Sequence, residues 1–253
     1  MTDFYNLISM RIVKYLIYLF FVVHYSVLPG ISQSNNCIDL NEIPQKKVRK
    51  YIHSRDIDTM NDFSSIHASC KKEIKESDFK ISEKIFYLKS KLSNVWDSYK
   101  NENPSKSFNG HKFRLELLIQ KGSNNIVYKN NPSFPVIDTG QLYFFDIRLV
   151  KGLFNIPMAF EIINIDNSQK ILEVSYIESN KAKGKQRIQF IDNGDGRTMV
   201  VHQSFFKSNS WIRDTFLYPY FHKKIVREYH RNMKEMVQNQ KKSLITLNYT
   251  GSE

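Results

Sequence analysis

The sequence predicts an α+β domain in which an antiparallel sheet packs on one long C-terminal helix. Three observations predict it. Several strand-like runs follow one another, joined by turn-forming residues. The segment Asp192–Gly196, DNGDG, between KQRIQFI and RTMVVHQSFF is a strong hairpin signal. Finally, Phe221, Ile225, Val226, Tyr229, Met233, Met236 and Val237 form an apolar stripe at helical spacing, with Lys and Arg largely off it.

The chain has 253 residues, 37 Lys and Arg against 25 Asp and Glu, a formal charge of +12, two cysteines and 13% aromatics. A 41% hydrophobic content excludes a wholly disordered chain. Two cysteines exclude a disulfide-dense scaffold and a four-cysteine zinc site.

Near the start, Arg11 and Lys14 precede the apolar run Tyr15–Leu28, and Gly30 and Ser32 suit cleavage before Gln33. Residues 1–32 therefore read as a signal peptide, and the protein as secreted or periplasmic. A retained membrane anchor is the competing reading, although a span usually needs about 18–20 apolar residues. Export would put Cys37 and Cys70 in an oxidising compartment, where such a pair commonly forms a disulfide.

Residues 33–80 are polar and helix-leaning with no clear core, an extension that packs on the domain or stays partly mobile. The main domain is placed at 81–242. Ile85, Leu88, Leu92, Val95 and Trp96 recur at helical spacing, though KISEKIFYL also reads as a first strand leading into a helix. KFRLELLIQ follows, then a loop with Asn124 and Asn125, then QLYFFDIRLV. In that strand Tyr143, Phe145, Ile147 and Leu149 share one face and Asp146 and Arg148 the other, the alternation of a half-buried sheet. PMAFEIINI and KILEVSYIE form a hairpin across DNSQ. A shorter helix is possible around Trp211–Tyr218. The last helix should run to about Lys242, leaving 243–253 as a tail.

Together, VWDSYK, GQLYFFDIRL, PMAFEIINID, VSYIESNKAKGKQRIQFID and SFFKS ahead of the final helix make an order of elements that resembles the helix-grip fold of the START-like, or SRPBCC, superfamily. The likeness is to a bacterial branch, and it spans about Ile81–Lys242. The resemblance implies an apolar cavity between sheet and helix that takes lipids, sterols, polyketides or similar molecules. It implies no universal catalytic residues. The candidate lining is Tyr143, Phe145, Phe160, Tyr176, His202, Tyr229 and Met233, aromatic and methionine side chains that make an adaptable apolar wall or simply fill a core. A one-residue slip in strand parity would exchange the inner and outer sets.

Other chemistry finds little support. His222 and His230 lie about 12 Å apart along a helix, too far to share a metal, and HExxH is absent. DNGDG lacks the later Glu of a calcium loop. No GxGxxG, P-loop or GxSxG is present, so no cofactor is expected. Positive charge gathers at Lys207–Lys242, with 9 basic and 3 acidic residues, and at Lys181, Lys183, Lys185 and Arg187 between two strands. Lys223, Lys224, Arg227 and Arg231 would suit an anionic membrane surface or an acidic headgroup. Nucleic acid is not expected as a partner, and the chain reads as a monomer. The expected function is an exported binding protein for a hydrophobic or lipid-like small molecule. One rival is a cyclase or aromatase using a cavity acid or base, for which His202 is the single candidate. The other is a pocketless protein acting through its basic helix.

Overall fold

The computed structural model describes residues 37–250, apart from 71–72, 179, 181, 211–214 and 216–217. The leader at 1–32 and most of the short helix expected around Trp211 lie outside these residues. Eight strands form one curved antiparallel sheet in the order β1-β8-β7-β6-β5-β4-β2-β3. They are β1 (Lys80–Leu88), β2 (Phe113–Gln120), β3 (Asn125–Tyr128), β4 (Gln141–Leu149), β5 (Phe154–Asp166), β6 (Ile171–Tyr176), β7 (Ala182–Asp192) and β8 (Thr198–Ser208). The helices are α1 (Lys46–His53), α2 (Leu92–Asn101), the single turn α3 (Pro104–Ser107) and α4 (Tyr218–Thr250).

KISEKIFYL is thus a strand leading into a helix. DNSQ and DNGDG are the β5–β6 and β7–β8 turns. The region around Asn125, expected as loop, pairs with β2 and forms the short edge strand β3. The expected tail is also helical, since α4 continues past Lys242 to Thr250. No Gly or Pro interrupts the chain between Pro219 in its first turn and Gly251 just beyond its end.

The sheet has two buried faces, not one. Inside, Phe113, Leu115, Leu118, Tyr143, Phe145 and Ile147 face α4, with Val95, Trp96 and Tyr99 of α2 closing one end. Outside, Leu117, Ile119, Leu142, Phe144 and Ala159 are covered by Ile38, Ile43, Val48, Tyr51, Ile52, Ile57, Phe63 and Ile66. The segment expected to lack a core therefore supplies half of one. Consequently β4 is buried along most of its length, and the half-buried alternation is overturned.

Two bulges decide which residues face which way. The β2–β4 register shifts between Leu115 and Leu117, and the β5–β6 register between Ile162 and Asn164. The first puts Leu115 and Leu118 inside and Leu117 and Ile119 outside, which strict alternation along the strand would not allow. Bulges also increase local twist, which helps a sheet curve round a helix.

Beneath α4, Glu228 is 2% exposed, and its carboxylate accepts from the backbone N–H groups of His111 (3.0 Å) and Lys112 (2.7 Å). Gly110 permits that clasp, because a Cβ there would sit 2.4 Å from Glu228 Oε2.

Candidate functional site: an apolar cavity under the C-terminal helix

Between the inner face and the first turns of α4 lies a cavity of about 730 Å³. Strands β4, β5 and β6 supply Tyr143, Phe145, Phe160, Ile162 and Val174, and α4 supplies Phe221, Ile225, Val226 and Tyr229. Curvature creates the space, since one helix cannot follow a bent sheet along its whole width. At one end α2 and α3 fill the gap. There Phe108 stacks on Tyr229 at 4.9 Å, Ser98 Oγ donates to Gln240 of α4, and Asn232 donates to the Ser107 carbonyl.

Of the expected lining residues, Tyr143, Phe145, Phe160, Tyr176, His202 and Tyr229 all border this space. Met233 does not. It is 1% exposed within the inner core, one turn past Tyr229, where the helix has already met α2 and α3.

The polar groups on the wall bind one another. His202 Nε2 lies 2.8 Å from Gln186 Oε1, an acceptor, so that nitrogen carries the proton. His202 Nδ1 then accepts from His230 Nε2 at 2.8 Å, and His230 Nδ1 accepts from the Tyr99 hydroxyl at 2.7 Å. On the other side Gln186 Nε2 reaches the Tyr176 hydroxyl, which also bonds Tyr218. His222 also lines the cavity, with its ring stacked on Tyr218 and its Nε2 3.3 Å from Ser204 Oγ.

Burial holds all three imidazoles neutral. It lowers His222 to about 4 and His230 to about 3, and His202 falls well below its usual value through burial and its two imidazole neighbours. Burial likewise pushes the Tyr176 hydroxyl up to about 12 and the Tyr143 and Tyr229 hydroxyls higher still. Away from its mouth, the walls of the cavity are uncharged at neutral pH.

Sequence reasoning named His202 alone, but His222 shares the wall and His230 stands behind it. The signal was present: His222, Val226 and His230 are spaced by four, so both histidines belong to the buried stripe of α4. Gln186 carried no such mark.

The basic candidates lie elsewhere. Lys223 and Arg227 are exposed on α4, Lys224 donates to Tyr220, and Arg231 pairs with Glu228 at 3.4 Å; none lines the cavity. The expected basic stretch between two strands is corrected. Lys183, Lys185 and Arg187 lie within β7, and Lys181 is outside the described residues. Lys185 and Arg187 both bond Glu173 at 2.9 Å. Burial pushes the Glu173 carboxyl up, but those two bonds outweigh it and hold it below the usual carboxylate range. Cys37 and Cys70 are free thiols, one exposed and one buried.

The cavity opens at a gap in the sheet. Strand β6 pairs with β5 only from Phe160 onward, so Asn155–Met158 have no β6 partner. Pro157 sits in the middle of this open edge, where it has no N–H to leave unpaired. The Ala159 carbonyl accepts from Ile177 N–H and Asn180 Nδ2, which closes the gap on one side. Lys47, Lys50 and Arg55, on α1 and the turn after it, line the other side.

This arrangement is a helix-grip fold, a curved antiparallel sheet wrapped round a C-terminal helix with a cavity between them. Among solved structures, norcoclaurine synthase from Thalictrum flavum in complex with dopamine and hydroxybenzaldehyde is similar at 14% identity and a TM-score of 0.48, covering 67% of this chain and 98% of that one. A START superfamily protein from Mycobacterium smegmatis is similar at 6% identity and a TM-score of 0.44, covering 63% and 98%. No protein-family model and no curated protein matches the sequence. Identities this low leave activity open, and the fold assignment stands on the strand order and the helix.

Proposed function

We propose that this chain is an exported binding protein for a hydrophobic, lipid-like small molecule held under the C-terminal helix. The observation that carries the reading is the cavity of about 730 Å³, within the range of about 300–1,000 Å³ typical of small-molecule sites, with an interior that is uncharged at neutral pH away from its mouth. Binding would draw on burial of apolar ligand surface, at about 25 cal/mol per Å² before ordering costs.

Displacement of the neutral fluorophore 1-aminoanthracene tests it. The fluorophore should bind, apolar ligands should displace it, and Val174→Trp, which puts an indole into the space, should abolish binding while the protein stays folded. A folded wild type that takes up no fluorophore, and no apolar small molecule in native mass spectrometry, overturns the reading. For export, protein recovered from a secreting host should begin at Gln33; an intact leader would refute cleavage.

A second reading, acid–base catalysis of ring closure, gains from the two imidazoles on the wall. It loses more from their low basicity. A base lowered to about 4 is far from the pH-matched value that efficient proton transfer wants, and a neutral imidazole cannot serve as an imidazolium acid. Binding without turnover is the better account.

A further inference from the structure

The mouth of the cavity is lined by cations and by no acid among the described residues. We infer that Lys47 and Lys50, with Arg55 beside them, form a binding site for the anionic head group of an amphiphile whose apolar part enters the cavity. The inference rests on the cavity reading above and names the class of ligand.

Several cations in or beside the strands are matched by acids. Lys121 pairs with Glu161, Lys129 with Glu116, Arg148 with Asp146, and Lys185 and Arg187 with Glu173. Among the described residues no Asp or Glu lines the cavity, while three cations do, and Lys47 and Lys50 form no ion pair.

Geometry directs them to one place. Lys47, Lys50, Tyr51 and Ser54 follow helical spacing, so they share the face of α1 that meets the opening, while Val48 and Ile52 pack into the outer core. Lys47 Nζ donates to the Asn155 carbonyl at 3.1 Å, across the open edge of β5. The Arg55 guanidinium lies over the Tyr51 ring, 3.9 Å from its centroid, and bonds the Tyr51 carbonyl at 3.1 Å, which fixes it at the lip. Tyr51 is itself tied to Asn180 at 2.7 Å, on the opposite side of the gap. Cations beside an uncharged interior suit one anionic head, a carboxylate or a phosphate, on an apolar body. Lys47 would exchange a backbone carbonyl for that anion.

The probes are dodecanoate, methyl dodecanoate and dodecyltrimethylammonium at pH 7.5, each displacing 1-aminoanthracene from the full chain. Dodecanoate should bind roughly tenfold or more tighter than its ester, the gain expected of a charge-assisted contact, and the cationic amphiphile should bind weakest. Lys47→Gln with Lys50→Gln should bring dodecanoate down to the level of the ester. Lys50→Glu, which changes only an exposed side chain, should weaken dodecanoate at least as much as Lys50→Gln does. Equal affinity for dodecanoate and ester in the wild type, or a preference that survives the double substitution, overturns the head-group site and leaves the cavity reading standing. Failure of all three probes, the neutral ester included, overturns both. Co-sedimentation with phosphatidylglycerol vesicles, lost in the double variant, would place the same head group on a membrane lipid. Dodecanoate binding without co-sedimentation would make the ligand a free amphiphile.

Discussion

The two faces of the sheet are built from the same strands yet end in opposite states. On the outer face, Leu142, Phe144 and Ala159 are fully buried under a chain of short turns and one helix. On the inner face, their neighbours Tyr143 and Phe145 border about 730 Å³ of space. The covering element makes the difference. An irregular segment can bend to follow a curved surface residue by residue, whereas a straight helix touches it along one line. A filled core and a cavity can thus sit back to back across one strand.

The largest expected effect breaks that comparison by truncating a ring on each side. Phe144→Ala removes a side chain packed on all sides and should cost about 3–5 kcal/mol. Phe160→Ala removes a partly buried ring that already faces space, so it should cost clearly less, about 2 kcal/mol or under, and alter ligand affinity instead. Urea unfolding of the two variants measures both. Equal losses would mean that the inner face is packed as tightly as the outer one.

Acid should separate the faces next. The neutral imidazoles all belong to the inner side. In the unfolded chain they take up protons as pH falls through about 6.5, while in the folded chain His222 waits until about 4 and His230 until about 3. Stability is therefore full above pH 6.5 and falls as pH drops from there toward 4, by up to about 1.4 kcal/mol per pH unit for each imidazole. Unfolding midpoints at pH 7, 6 and 5 should show the slope, and His222→Gln should remove roughly a third of it. Carboxylates titrate mainly below this range, so a flat profile between 6.5 and 5 would mean that the imidazoles are not buried neutral.

Much of the inner half was legible in the sequence and little of the outer half was. The α4 stripe, the two hairpins and the aromatics of β4 are local patterns, and local patterns fixed the helix, the turns and six of the seven lining candidates. The outer core is assembled from single apolar residues, among them Ile38, Ile43, Ile57, Phe63 and Ile66, scattered through a polar segment with no period to detect. The clue lay in the sheet: Leu142 and Phe144 are apolar on the face that Asp146 and Arg148 seemed to make polar. The bulge at Glu116 hid a second clue, because it moves Leu117 and Ile119 to the outer face. The cations of the mouth escaped for a related reason. Their role depends on a gap in strand pairing at Asn155–Met158, far beyond α1 in the chain: Lys47 and Asn155 are 108 residues apart.

The smallest expected effect concerns what holds the outer layer in place. Asp39 N–H, two residues after Cys37, donates to the Tyr128 hydroxyl on β3, at one edge of the sheet. Cys70 N–H donates to Ser175 Oγ on β6. Strands β2, β4 and β5 lie between, which at about 4.8 Å per strand separates the two sites by roughly 19 Å. A disulfide needs its Cα atoms within about 7 Å, so the expected bridge does not fit this path of the chain. The outer layer must then be held by packing and hydrogen bonds, without a covalent link, and a reductant should leave the unfolding midpoint unchanged. A loss of about 2–4 kcal/mol on reduction would restore the bridge and require the segment from Cys37 to Cys70 to cross the outer face by a different route. In that case the filled face would owe its stability to a covalent clasp, and truncation at Phe144 would cost less than its burial implies.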